Sequence, residues 1–266
     1  MEKEKKKIFG FTIWRLLVYF IIYSIVGFLV ETVFGLITKG VLESRKSFLY
    51  GPFCSIYGLG AIIMIVSLQK YNKNNYTLFI AGFVIGSIVE YIISLVGEMI
   101  FHIKWWDYSN ETFNINGRIC VTFSIFWGLL AIYLMSHFNP LIDKMINKIK
   151  TKIDLKYLKI LVVVIMVFII FDLLITGYAL KIFFARLIYN NNLNLENSNY
   201  YISQYEKVNE NEQLKEFTNK FFSNKKMLKT FPNLKVKTLD DEIIFIKDVL
   251  SDIQPYYLKI FNKKSS

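Results

Sequence analysis

Four carboxylic acids, Glu31, Glu90, Glu98 and Asp172, stand inside runs that are otherwise hydrocarbon. A charge in such a setting is costly unless it is paired, hydrated or protonated, so it normally faces protein or a wet cavity. The residues around them repeat at helical spacing. Ser24, Gly27, Glu31, Gly35 and Thr38 share one helical face, and Gly82, Gly86, Glu90, Ser94, Glu98 and His102 share another. Gly82 and Gly86 form a G-x-x-x-G that lets a second helix approach closely. Carboxylates on small-residue faces can hold the polar part of a ligand or do acid–base work.

The stretch FHIKWWDYSNETFNINGR, residues 101–118, joins two apolar runs and is dense in polar and aromatic groups. Trp105 and Trp106 suit a membrane interface, and Asn116-Gly117 signals a tight turn. Lys39, Arg45, Lys104 and Arg118 are the expected counter-charges of the four acids. The pattern predicts one outward-opening polar recess lined by the first and third apolar runs. Its candidate residues are Glu31, Arg45, Glu90, Ser94, Glu98, His102, Trp105, Trp106, Asp107, Tyr108, Asn116, Arg118 and Asp172. An aromatic belt with a polar turn and a structural ion-pair network are the competing readings.

The elements that must position these groups are membrane spans. Mean hydropathy is +0.37 and 54% of residues are hydrophobic, which a soluble domain rarely reaches. Crossing a bilayer as a helix takes about 20 apolar residues. Spans are expected near 11–38, 53–68, 76–101, 119–138 and 160–180, the second being the shortest. The predicted fold is all-α: a polytopic helical membrane protein of about five transmembrane helices, with a small appended α+β module at the C-terminus. Residues 1–185 form the membrane domain and 186–266 the polar tail, which opens on the Asn-rich NNNLNLENSNYY. The tail has few core residues and no cysteine, so it should pack on something else. The first apolar stretch reads as a span, being too long for a signal peptide and lacking a small-residue cleavage site.

Charge gives orientation. Net charge is +11, with 32 Lys plus Arg against 21 Asp plus Glu. The lysines cluster beside apolar runs, which argues against nucleic acid and for topology. The N-terminal MEKEKKK and the lysines of 142–159 are expected on the cytoplasmic side. Ile142, Ile146, Ile149 and Ile153 recur at helical spacing opposite those lysines. An amphipathic basic helix in the inner headgroup layer fits, either as a topology anchor or as a dock for a cytoplasmic ATPase. With five spans the tail ends outside.

The sequence lacks G-x-x-x-x-G-K-[ST], G-x-S-x-G, H-E-x-x-H and C-x-x-C. It therefore offers no P-loop, nucleophile elbow or usual zinc pattern, and no cofactor or metal is expected. Cys54 and Cys120 read as buried thiols in preference to an outward disulfide. The Lys, Asn and Ile bias suggests AT-rich codons and a bacterial cytoplasmic membrane.

Several motifs recur together: Glu31, RKSFLYGPFCSIYG from Arg45, EYIISLVGEMIFHIKWWDYSN from Glu90, FNINGRIC from Phe113, and FPNLK at Phe231. In this combination the chain resembles the bacterial family of ABC-transporter permeases of type IV, CmpB-like, closely over about 12–140. Where the family pattern reads G-P-x-C-P-x-Y-G, this chain has Ser55 for the second proline, a departure that bears on where the second helix starts. The resemblance implies a permease subunit working with a separate ATPase, and carries over no catalytic or binding residues. Two rival classes are a membrane enzyme acting on a lipid or polyprenyl substrate and a non-catalytic assembly or regulatory subunit. Membrane lipids, an ATPase at 142–159, and a second copy or companion permease are the expected partners.

Overall fold

The computed structural model describes residues 7–101, 106–195, 197–240 and 242–260. The chain forms two compact units, each discontinuous in sequence: 1–23 with 57–165, and 24–56 with 166–266. Four helices are long and apolar enough to cross a membrane, Ile13–Lys39, Asn75–Met99, Val121–Lys150 and Leu155–Asn191. The fold is the expected all-α, multi-pass type.

The first unit opens with a hairpin of β1 (Lys7–Ile8) and β2 (Phe11–Thr12). Phe9 and Gly10 both have positive φ, as a two-residue turn of the primed type needs. Helix α1 (Ile13–Lys39) follows directly. The helix α2 (Ser55–Leu68) runs into a 3-10 turn at Gln69–Tyr71, where Gln69 Nε2 donates to Phe9 O at 2.7 Å. Helix α3 (Asn75–Phe101) is capped by Asn74, whose side chain accepts from Thr77 N at 2.8 Å.

Helix α4 (Val121–Tyr133) continues through a π turn, Leu134–Phe138, into α5 (Asn139–Lys150). Pro140 accounts for the wide turn, since it has no N–H to give to the residue four back and its ring crowds that carbonyl. The lysine-rich segment thus partly continues the helix of the fourth span, as far as Lys150, before the turn at 151–154 leads into α6. Ile142 and Ile146 are buried in it, while Ile149 and Ile153 are exposed. Arg15 Nη2 meets Asp143 at 2.6 Å, and Tyr19 donates to the same carboxylate at 2.6 Å.

The α3–α4 pair is close because glycine makes it so. A Cβ on Gly82 would lie 2.2 Å from Ala131 Cβ, and one on Gly86 would lie 2.5 Å from Trp127 Cβ. Ser87 donates to Ser124 across the seam at 2.6 Å.

In the second unit α1 ends at Gly40, whose φ of +70° and bond from its N to Leu36 O form a left-handed cap. The chain then turns back along α1. After β3 (Val41–Leu42) it packs Arg45 against Gly35 and reaches Cys54, whose N donates to Ser24 O at 2.8 Å. Lys39 to Ser24 is about 22 Å along the helix axis. The chain has therefore travelled that far before α2 begins. This is why α2 can be 14 residues long, too short to cross alone, and still form the fifth apolar helix. It begins at Ser55 itself, the first helical position where proline is well tolerated.

Helix α6 (Leu155–Asn191) starts on the Asp154 cap, with Lys156 N to Oδ1 at 2.7 Å. At 37 residues it is about 55 Å long, well beyond a bilayer core of about 30 Å. Its far end is buried in the tail module, as the sparse tail core requires. The module holds α7 (Ser198–Glu210), α8 (Glu212–Phe221), α9 (Asn224–Thr230), β4 (Lys235–Lys237), β5 (Ile243–Phe245), α10 (Ile246–Val249) and β6 (Leu258–Lys259). Phe222, Met227, Leu228, Val236 and Ile246 pack on Ala179, Phe183 and Leu187 of α6. Arg186, 5% exposed, donates to Phe222 O, Asn224 Oδ1 and Asn219 Oδ1 and pins α6 to the α8–α9 corner. Strand β6 pairs antiparallel with β3, so the tail and the segment after α1 lie on one side.

Candidate functional site

In the first unit the α3 acids are held by the loop that follows them and by α4. Glu90, 7% exposed, accepts from Trp127 Nε1 at 3.0 Å and from the Tyr108 hydroxyl at 3.2 Å. Tyr108 stacks on Phe123 with ring centroids 4.5 Å apart. Burial, then the Glu90 carboxylate, hold the Tyr108 hydroxyl above the ordinary phenol range, so it stays a donor. One and two turns further along α3, Arg118 Nη1 meets Ser94 Oγ at 3.2 Å and Glu98 at 2.6 Å.

The loop is built to deliver that arginine. Asn116 and Gly117 both have positive φ, and Arg118 N bonds Ile115 O at 3.0 Å, closing the tight turn the sequence signals. Asn116 Nδ2 donates to Tyr91 at 2.9 Å, and Trp106 Nε1 donates to Arg118 O at 2.9 Å. Asp107 accepts from Ser109 N at 3.0 Å and Ser109 Oγ at 2.5 Å. The result is a hydrogen-bonded network around the two carboxylates. His102, Lys104 and Trp105 lie outside the described residues.

The second unit holds Glu31 and Arg45. They line an open recess of about 300 Å³ together with Lys46, Cys54, Phe231 and Asn233, among others. Arg45 Nη2 meets Glu43 at 2.7 Å, and Lys39 Nζ meets the same carboxylate at 2.7 Å. Lys39 also donates to Asn233 at 3.2 Å. Asp172 does not line this recess. It is fully buried, and its carboxylate accepts from Gly51 N at 2.7 Å and Tyr50 N at 3.1 Å. Thr176, one turn on, accepts from Leu49 N at 2.9 Å.

The candidate residues thus fall into three settings: the Glu90–Glu98–Arg118 network, the Glu31–Arg45 recess, and the Asp172 backbone clamp. Cys54 and Cys120 are buried and not joined in a disulfide, the first in the recess and the second ahead of α4. Among the described residues no group of three His, Cys, Asp or Glu could hold a metal ion.

A family model described as "Putative ABC-transporter type IV" matches residues 18–177. The chain belongs to this family. The match covers Glu31, Arg45, Glu90, Glu98, Arg118 and Asp172, and ends before the tail of this ABC-transporter type IV protein supplies Thr230–Leu234 to the recess. No curated protein and no solved structure matches the chain.

Sequence reasoning missed three participants. Glu43 sits outside every span, yet its i, i+4 spacing to Lys39 was a readable signal. Trp127 carries none, and the FPNLK motif marks the Thr230–Leu234 wall without saying what it meets, because each finds its partner across a long sequence separation that only the fold brings together.

Proposed function

We propose that this type IV family member is a permease-like integral membrane subunit that binds a small polar solute or lipid head group from the outer side. The observation that supports this is the recess: an open volume of about 300 Å³ with Glu31, Arg45 and Lys46 on a largely apolar wall. Glu90, Glu98 and Arg118 contribute by fixing the outer ends of α3 and α4. The chain works with a separate ATPase that docks on the cytoplasmic lysines of 142–159. The N-terminus is cytoplasmic, by the lysine distribution.

The test is purification of the full chain from its native membrane with its partners. A protein carrying a nucleotide-binding P-loop is expected to copurify and to be lost when Lys144, Lys148 and Lys152 are changed to Gln. A chain that copurifies with no such protein, and whose Glu31→Gln variant transports as well as the parent in cells, is not a permease of this kind.

A further inference from the structure

The recess in the second unit is asymmetric in charge, and α1, which lines it at Glu31, carries an exposed apolar strip; these two features together name a ligand class. Arg45 and Lys46 line it. Lys39 reaches its wall at Asn233. Lys46 Nζ lies 3.3 Å from Tyr50 O, and Lys226 Nζ stands 4.4 Å above the ring of the same tyrosine. Lys229, beside the lining residue Thr230, stands over Tyr257 at 5.5 Å. Against these five cations stand Glu31 and Glu43, and Glu43 is shared between Lys39 and Arg45. Positive charge in surplus over a low-dielectric wall favours an anion.

The wall itself is apolar: Phe231, Pro232, Leu234 and the Cys54 thiol face the volume. On α1, beside Glu31, the exposed side chains are Val30, Val33, Phe34 and Ile37. Exposed hydrocarbon on a membrane span faces acyl chains. A volume of about 300 Å³ is that of roughly ten water molecules. It suits a head group, with no room for a chain as well.

We infer that the recess binds an anionic amphiphile, with its phosphate-type group on Arg45, Lys46 and the lysine rim and its hydrocarbon laid along the apolar strip of α1. This rests on the recess reading above and narrows it from any polar solute to a lipid-like one.

The experiment is titration of the purified full chain in non-ionic detergent with four probes: dihexanoyl phosphatidic acid, dihexanoyl phosphatidylcholine, glycerol phosphate and inorganic phosphate. Phosphatidic acid is expected to bind at least about tenfold more tightly than each of the others. Lys46→Gln should weaken it about tenfold, and Lys207→Gln on α7 should leave it unchanged. Phe34→Ala on the α1 strip should weaken the amphiphile and leave glycerol phosphate as it was, which also guards against reading a misfolded Lys46 variant as lost binding. Equal binding of glycerol phosphate and phosphatidic acid, with Lys46→Gln weakening both, overturns the amphiphile and keeps the solute recess. Equal binding of phosphatidylcholine overturns the anion. Binding of no probe, or binding indifferent to both Lys46→Gln and Phe34→Ala, overturns the amphiphile and the recess together.

Discussion

Asp172 on α6 accepts the backbone amide of Gly51 at 2.7 Å, in the middle of a non-helical segment that runs back along α1. Backbone at membrane depth has no water to satisfy it, so irregular chain survives there only where protein supplies the partners. Asp172 and Thr176, one helical turn apart, supply them for three successive amides, those of Leu49, Tyr50 and Gly51. The acid that looked like a ligand group is occupied by the chain itself.

Asp172→Ala is therefore expected to strand the Tyr50 and Gly51 amides at a cost of about 1–3 kcal/mol each. Asp172→Asn keeps one acceptor oxygen and should lose less. Hydrogen exchange at residues 49–51 is the readout. Faster exchange in the order wild type, Asn, Ala is the expected outcome, and equal protection in all three would show that the clamp is not Asp172.

The α3–α4 seam gives a sharper steric test. Gly86→Val drives a branched side chain into Trp127, and Gly82→Ala places a methyl against Ala131, where no flexible side chain can yield. Each should lower the melting temperature in detergent, at about 1–3 kcal/mol for overpacking. Gly60→Ala, with nothing within 4 Å of the new carbon, should be neutral. A Gly82→Ala protein as stable as the Gly60→Ala one would mean the seam is looser than described.

What could be read from the sequence follows from what each signal depends on. Span existence depends on local composition, so α1, α3, α4 and α6 were legible, as were the G-x-x-x-G seam and the Asn116-Gly117 turn. The fate of each carboxylate depends on partners far along the chain. Glu90 finds Trp127, Glu98 finds Arg118 and Asp172 finds the 49–51 backbone, and no periodicity encodes those meetings. The short α2 was legible as short. Its reason lies in the returning segment before it, whose turns carry no span-like pattern. The lysine-rich 142–159 read as one amphipathic helix because hydropathy drops there, while its first part, to Lys150, continues α4 through a π turn and its last part opens α6.

Arg118 and Glu98 should behave as a coupled pair. Their side chains are 14% and 33% exposed, so removing one partner leaves the other charge partly desolvated. Arg118→Met alone is expected to destabilise more than Arg118→Met combined with Glu98→Gln. The double-mutant cycle should return a coupling of about 0.5–3 kcal/mol. Additive effects would make the contact a surface coincidence.

The β3–β6 pairing predicts both a crosslink and a sidedness. Val41 and Lys259 are antiparallel partners. Neighbouring Cα atoms in such a pair lie about 4.5–5.5 Å apart, within the range a disulfide spans. A Val41→Cys/Lys259→Cys protein should close that bond on mild oxidation, while the native Cys54 and Cys120, both buried, stay reduced. In cells, single cysteines replacing Lys46 and Lys226 should react with an impermeant thiol reagent from the same side, and one replacing Lys148 only after the membrane is opened. Labelling of the Lys46 and Lys226 positions from opposite sides is incompatible with the paired tail. Labelling of all three from outside would instead reverse the cytoplasmic assignment of α5, and the proposed ATPase dock with it.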